Sequence, residues 1–480
     1  MSTPLILSEK ARFCLRCSDD ELLTHAQPFI LKCSEYLEDT RDLEESVLRT
    51  AEALPDTARL FAIEPGRIAE TFGLRDDLLF RNPEPWMLVV DSGAGHWKVD
   101  LGGRAGQLPW LQRLMELCSS GTHEKSRIQA SIGGASRLFE RFVRDGIAVE
   151  ERRECPALAP LGGPGAYRLQ HACLLYRTGT SGILVDPHLH STYGAGVTSD
   201  FYRDTLEGKV DAILISHSHG DHWSLSTLLM FPRETPIVVP KVPAPTIVCP
   251  DMKALLESFG FTNVIAVDWF SAPLRLGDFE VHVLPFYGEQ ALRFEQPKHP
   301  DIRNWGNTYA IRTSDYTSWF LIDTGADALG CMTEVAEHVR RTIGKVDFVL
   351  SNLGQFYIKS PLYINCGLNW LTLSPRHICD LPAMKDHVVT LGPPGVARVC
   401  EIVEARFYLP YAHWWGEPGC TGSGASDIPG QSEADLLREL AELIRSGKSD
   451  TEIVPWNIGD GFIRPLGAGF CHAPFRRNAP

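Results

Sequence analysis

No uncharged apolar run in the sequence approaches the roughly 18–20 residues that a bilayer-crossing helix requires, so membrane-spanning transporters and channels of the helical kind are excluded. The opening segment, MSTPLILSEKARF, lacks the basic start and apolar stretch of a secretory leader, and a cytoplasmic location with no membrane partner is the default expectation. Basic residues are in deficit, with 46 Lys and Arg against 60 Asp and Glu and a net charge of -14, which argues against broad contact with nucleic-acid phosphates. The thirteen cysteines are odd in number and follow no regular spacing, which suits a reducing compartment better than a disulfide scaffold. Cys14-Leu-Arg-Cys17 with Cys33 has no second pair at zinc-site distance and reads as an unliganded surface or core group. No G-x-G-x-x-G turn opens a strand–helix unit, so electrons for any redox chemistry must come from an external donor.

With 480 residues and 44% hydrophobic content, the chain can bury a large core and divides into two units. Residues 1–150 read as a smaller α+β module: helical patterns, a hairpin formed by Trp86–Asp91 and His96–Asp100, helices near 108–117 and 136–144, and a last strand ending at Glu150. Residues 151–165, rich in Glu, Arg, Pro and Gly, read as a linker. From 166 to 480, short buried strands alternate with helices, which predicts an α/β fold of four αββα layers. One continuous strand pattern covers Arg168–Tyr176. Arg340, Arg341 and Lys345 form a basic stretch that reads as a solvated helix face.

Three of the 16 histidines fall within His217-Ser-His219-Gly-Asp221-His222, directly after the apolar run ending at Ser216. Imidazole and carboxylate are the common ligands of Zn, Mn and Fe, and their alternation on a loop leaving a buried strand lets one segment serve two adjacent ions.

This H-x-H-x-D-H pattern resembles the metallo-β-lactamase superfamily, and the resemblance extends over about residues 165–460. It implies further members in chain order: Asp186 supporting the metal loop, Asp323 at the end of an apolar strand as the bridging carboxylate, and His413 as the final imidazole. Where the hydrolytic family supplies another His, this chain reads Pro285-Phe-Tyr-Gly-Glu289, and Glu289 takes that place in preference to His282, inside a strand, or His299, in a polar loop. The implied sites are His217, His219, Glu289 and Asp323 for one ion, with Asp221, His222, Asp323 and His413 for the other. Asp221, Glu289 and Asp323 are the carboxylates expected to govern catalysis.

This carboxylate-rich set favours iron over zinc or manganese. It resembles the di-iron oxygenase branch of the superfamily, that of the amino-acid β-hydroxylase of chloramphenicol biosynthesis. By resemblance, the chain would use two Fe ions and O2 to hydroxylate or otherwise oxidise an amino-acid or peptide substrate, tethered to a carrier protein, in natural-product biosynthesis. The competing expectation is a di-zinc hydrolase acting on an ester, lactone or phosphodiester. Residues 80–150 resemble small PqqD-type peptide-binding domains, which together with a winged-helix reading implies recruitment of a carrier or peptide, or homodimerisation. The long stretch from Gln355 to Leu381 reads as a lid, and Tyr287, Tyr357, Tyr363, Trp370 and Trp414 are candidate pocket residues.

Overall fold

The fold is that of a computed structural model, which describes residues 3–8, 11–82, 85–91, 96–100, 108–119, 123–133, 136–151, 163–189, 206, 208–289, 299, 301–356, 388–412, 432–447, 449–465 and 467–474. The linker residues 152–162 and the candidates Tyr357, Tyr363, Trp370, His413 and Trp414 lie outside these residues.

The N-terminal region contains more short strands than its pattern advertises. β1 (Leu5–Leu7) pairs with β7 (Ala148–Glu150), closing the region on itself. β2 (Arg12–Cys17), β5 (Pro85–Asp91) and β6 (His96–Asp100) form an antiparallel sheet that contains the expected hairpin, and β3 (Phe61–Ala62) pairs with β4 (Gly73–Leu74). Between them run the helices Ser18–Thr40 and Leu43–Ala53, the second capped where Asp42 accepts a hydrogen bond from the Glu45 amide at 3.1 Å.

Beyond residue 163 two large sheets face each other. The first comprises β8 (Gly165–Gln170), β9 (Cys173–Arg177), β10 (Gly182–Val185), β11 (Ala212–Leu214), β12 (Ile237–Pro240) and β13 (Val264–Val267), with β23 (Gly461–Ile463) and β24 (Cys471–Ala473) added at the β8 edge. The second holds β14 (Leu274–Leu276), β15 (Phe279–Pro285), β16 (Asn307–Arg312), β17 (Thr317–Ile322), β20 (Phe348–Ser351), β21 (Phe407–Pro410) and β22 (Glu452–Ile453). Each sheet changes from antiparallel neighbours to parallel ones, at β10 and at β17. A two-stranded ribbon, β18 (Ala326–Asp327) with β19 (Gly330–Cys331), stands apart.

The apolar runs make sense in these layers, because a strand covered on both faces has no water-facing positions to alternate. The core between the sheets includes Leu174, Val185, Leu214, Phe286, Phe320 and Leu350. The second sheet's outer face is covered by the helices Met332–Thr342, Gly392–Ile402 and Glu433–Ser446 through residues such as Trp319, Val399 and Leu440. The first sheet's outer face carries the helix Met252–Ser258 and also N-terminal residues: Leu114, Phe139 and Phe142 share one core with Leu169, Leu175 and Phe259. A further shared core joins Phe29, Phe61 and Phe72 to Ile247, Ile302 and Val389.

One expectation changes in detail. The strand read through Arg168–Tyr176 is two antiparallel strands, broken by a tight turn at His171-Ala172 where Gln170 pairs across with Cys173. The basic stretch keeps the exposure expected of a solvated face, with Arg340 and Lys345 both pairing with Glu404 at the surface. Cys33, Cys118, Cys173, Cys249 and Cys400 are buried, while Cys471 is exposed. Among the described residues, no helix is long and apolar enough to cross a membrane.

Candidate metal centre

Parallel strands deliver their C-terminal ends to one edge of the two-sheet core, where α/β folds place their sites. Asp186 follows β10, His217 follows β11, Asp323 follows β17 and Asn352 follows β20, while Glu289 lies four residues past the end of β15. Ala412, at the end of described chain after β21, stands directly before His413. Among the described residues eight non-glycines have positive φ, and five of them fall here: His171, Asp186, Glu289, Ile322 and Ala412. Left-handed backbone costs an L-residue roughly 1–2 kcal/mol, so its concentration at one edge marks a place where geometry outranks local comfort.

The motif loop is fixed from below. Asp186 is fully buried and accepts hydrogen bonds from the Ser216 amide and the Ser216 hydroxyl, each at 2.7 Å. Its Oδ2 also lies 3.0 Å from Nδ1 of His222. Because the Ser216 hydroxyl hydrogen is committed to Asp186, the 2.9 Å contact between Ser216 Oγ and His217 Nδ1 requires His217 to donate from Nδ1. The lone pair of His217 therefore sits on Nε2, a buried atom with no hydrogen-bond partner among the described residues. An imidazole whose inner nitrogen is fixed by a hydrogen bond and whose outer nitrogen is bare is the arrangement a metal ligand needs.

Three groups of donor atoms gather there, each with its members within 4.8 Å of one another: His217, His219 and Glu289; His217, His222 and Asp323; and His171, Asp221 and His222. Glu289 spans the first pair, with Oε2 3.4 Å from His217 Nε2 and Oε1 3.2 Å from His219 Nδ1. Asp323 Oδ2 lies 2.8 Å from His222 Nε2, and its other oxygen accepts from Asn352 at 2.6 Å. The fold thus brings together six of the seven expected ligands, with Asp186 behind them, and the seventh, His413, lies outside the described residues. Of the alternatives to Glu289, His282 pairs within its sheet with Glu280 at 2.9 Å and His299 packs edge-on against Phe80. Tyr287, a candidate pocket residue, is partly buried, edge-on against Trp269 and beside Gly330. His171 escaped the sequence reading because it seemed to lie mid-strand; the polar pair Gln170-His171 within an otherwise apolar run was the available signal.

Charge in the cluster is strongly coupled. Burial pushes His217 well below the ordinary imidazole range, helped by His222 and His219. For His222 burial acts in the same sense, but Asp221 and Asp323 outweigh it and hold the ring well above that range. His219 is raised too, its burial overcome by Glu289. Burial tends to raise Asp221, yet His222 and His171 keep it well below the carboxylate range, whereas burial raises Glu289 with Asp323 adding to the effect. Buried carboxylates and imidazoles in such numbers are tolerable when paired or bound to a cation.

The Glu289 loop is held by backbone crowding. Gly288, with φ +95, has no room for a side chain: a Cβ would stand 2.3 Å from the Gly325 nitrogen and 2.6 Å from the Val389 oxygen. The Glu289 amide donates to that Val389 oxygen at 3.0 Å, and the Gly288 amide donates to Asp327 at 2.9 Å. Asp327 in turn holds Arg303 at 2.7 Å, and this guanidinium stacks over Trp305 and Trp269 while donating to the Phe286 carbonyl.

Residues 166–282 match the family model described as the metallo-beta-lactamase superfamily. The chain carries a metallo-β-lactamase domain. Over 201 residues the chain is 33% identical to 4-amino-L-phenylalanyl-[CmlP-peptidyl-carrier-protein] 3-hydroxylase of Streptomyces venezuelae, a match spanning 40% of this chain and 35% of that protein. The chain thus covers about a third of the length of this curated relative. The crystal structure of CmlA, a diiron beta-hydroxylase from the same organism, superposes with a TM-score of 0.57 and 18% identity over 95% of this chain and 99% of the other. A point mutant of the CmlA beta-hydroxylase gives a TM-score of 0.52 with 21% identity, covering 88% of this chain and 81% of its own. The metallo-β-lactamase domain and its N-terminal companion therefore share the overall architecture of these enzymes.

Proposed function

We propose that the chain is a dinuclear iron oxygenase that hydroxylates an amino-acid-derived substrate presented on a carrier protein. The single observation that carries the reading is Glu289, a buried carboxylate between His217 and His219 where a hydrolase would offer a third imidazole. Carboxylate oxygens are harder donors than imidazole and suit the higher oxidation states reached with dioxygen. Identity to a hydroxylase whose printed substrate is an aminoacyl group on a peptidyl carrier protein supports the substrate class.

His217, His219 and Glu289 would hold one ion, Asp221, His222 and His413 the other, with Asp323 between them. Two ferrous ions so held would supply the activation of dioxygen. The net reaction converts a substrate C–H and O2, with two electrons and two protons from an external reductase system, into C–OH and water. The chain's own residues have three tasks. Asp186 keeps His222 in the tautomer that presents Nε2, Asn352 fixes the orientation of Asp323, and the buried floor formed by Phe286 excludes water from the His217 side.

Metal analysis of protein grown with supplemental iron, followed by optical spectra before and after reduction and exposure to oxygen, tests the proposal. About two irons per chain with an oxygen-dependent spectral change is the expected result. Two zincs and spectra indifferent to oxygen would return the chain to the hydrolases.

A further inference from the structure

We propose that His171 is a positioning residue of this centre, holding the Asp221 carboxylate toward the second ion; the inference rests on the dinuclear reading above. His171 lies outside the H-x-H-x-D-H pattern and well upstream of it, at the tip of the β8–β9 hairpin. Its Nε2 is 3.4 Å from Asp221 Oδ2, and its ring stands edge-on to His222 with centroids 5.8 Å apart.

The hairpin itself is unusual in a way that points to a task. Two-residue hairpin loops normally run over the surface and take Asn or Gly where φ is positive. Here the turn residue is a histidine with φ 40 that is only 1% exposed. A strained backbone and a buried imidazole are both unfavourable locally, and both are explained if the ring must reach Asp221.

The placement also completes a pattern. β8 and β10 are both antiparallel to β9, so they run in the same direction and end at the same edge of the sheet. From the end of β10, Asp186 backs the ligand His222; from the end of β8, His171 backs the ligand Asp221. A carboxylate supports an imidazole in one case and an imidazole supports a carboxylate in the other. Loss of such an outer partner typically weakens metal binding about 10–100-fold.

Two variants separate positioning from folding. His171→Asn suits the left-handed turn but is too short to reach Asp221; His171→Gln reaches further and donates an amide N–H, while being a poor metal ligand. Native protein and both variants are titrated with Co(II), whose visible absorption reports coordination, alongside thermal unfolding. The expected result is two tight equivalents for the native chain. His171→Asn should melt no lower than native, bind the first equivalent unchanged and bind the second about 10–100-fold more weakly. His171→Gln should recover most of that loss. Two native-like equivalents in His171→Asn would overturn the proposal. So would a His171→Gln protein as weak as His171→Asn with an altered cobalt spectrum, since that marks His171 as a ligand. If the native chain itself takes up fewer than two equivalents, the dinuclear reading fails instead, independently of His171.

Discussion

Glu289 is held in left-handed backbone, with its side chain nearly buried between two imidazoles, and this makes its replacement informative. Glu289→His should retain two metal equivalents but shift them toward zinc, with loss of oxygen-dependent turnover; unchanged metal content and turnover would mean that Glu289 is no ligand. Protonation supplies a second prediction. In the metal-free chain His219 and His222 bind protons more tightly than ordinary imidazoles, so those protons must leave when metal enters. Metal affinity should therefore fall as pH falls, with net proton release detectable by calorimetry in buffers of different ionisation enthalpy. Much at this scale was legible in the sequence, because ligands of the motif loop sit within six residues of one another and the others end apolar strands. His171 was not, since a histidine inside an apolar run looks the same whether the strand continues or turns.

Loops rather than strands carry the precision of the site. The segment from Pro285 to Glu289 is clamped by Val389, Gly325 and Asp327, and none of these contacts is visible from its own composition. Gly288→Ala should destabilise the fold by about 1–3 kcal/mol through positive φ and backbone collision, measurable by denaturant titration, and should weaken the ion held by Glu289. Arg303 and Asp327 form a buried pair, 5% and 2% exposed. Removing one partner leaves an uncompensated buried charge, so Arg303→Ala should cost about 3–5 kcal/mol, whereas a loss below about 1 kcal/mol would show the pair to be solvated. Strand positions followed from apolar runs and turn residues. The β8–β9 turn was hidden because both flanking strands are buried on each face and show no alternation for a break to interrupt.

At the scale of the whole molecule, the division into an N-terminal module and a metal-bearing unit fits the sequence pattern, but the two share hydrophobic cores. Phe139 and Phe142 pack with residues of the first sheet, and Phe29 and Phe61 with loops that flank the Glu289 region. A chain lacking residues 1–150 should therefore aggregate or bind a hydrophobic dye strongly; a soluble, metal-loaded monomer would show the modules to be separable. Composition could signal two units but not the surface they bury against each other.

The buried cysteines give this architecture a chemical temperament. Burial pushes the Cys173 and Cys400 thiols up to about 12 and that of Cys249 to about 11, so all three stay protonated at neutral pH. An oxidant reaching these three buried sites would find little nucleophilic sulfur. Cys471, at the far edge of the first sheet, is the exposed one among the described cysteines, and mass mapping after peroxide treatment should find sulfenylation there before any at Cys173.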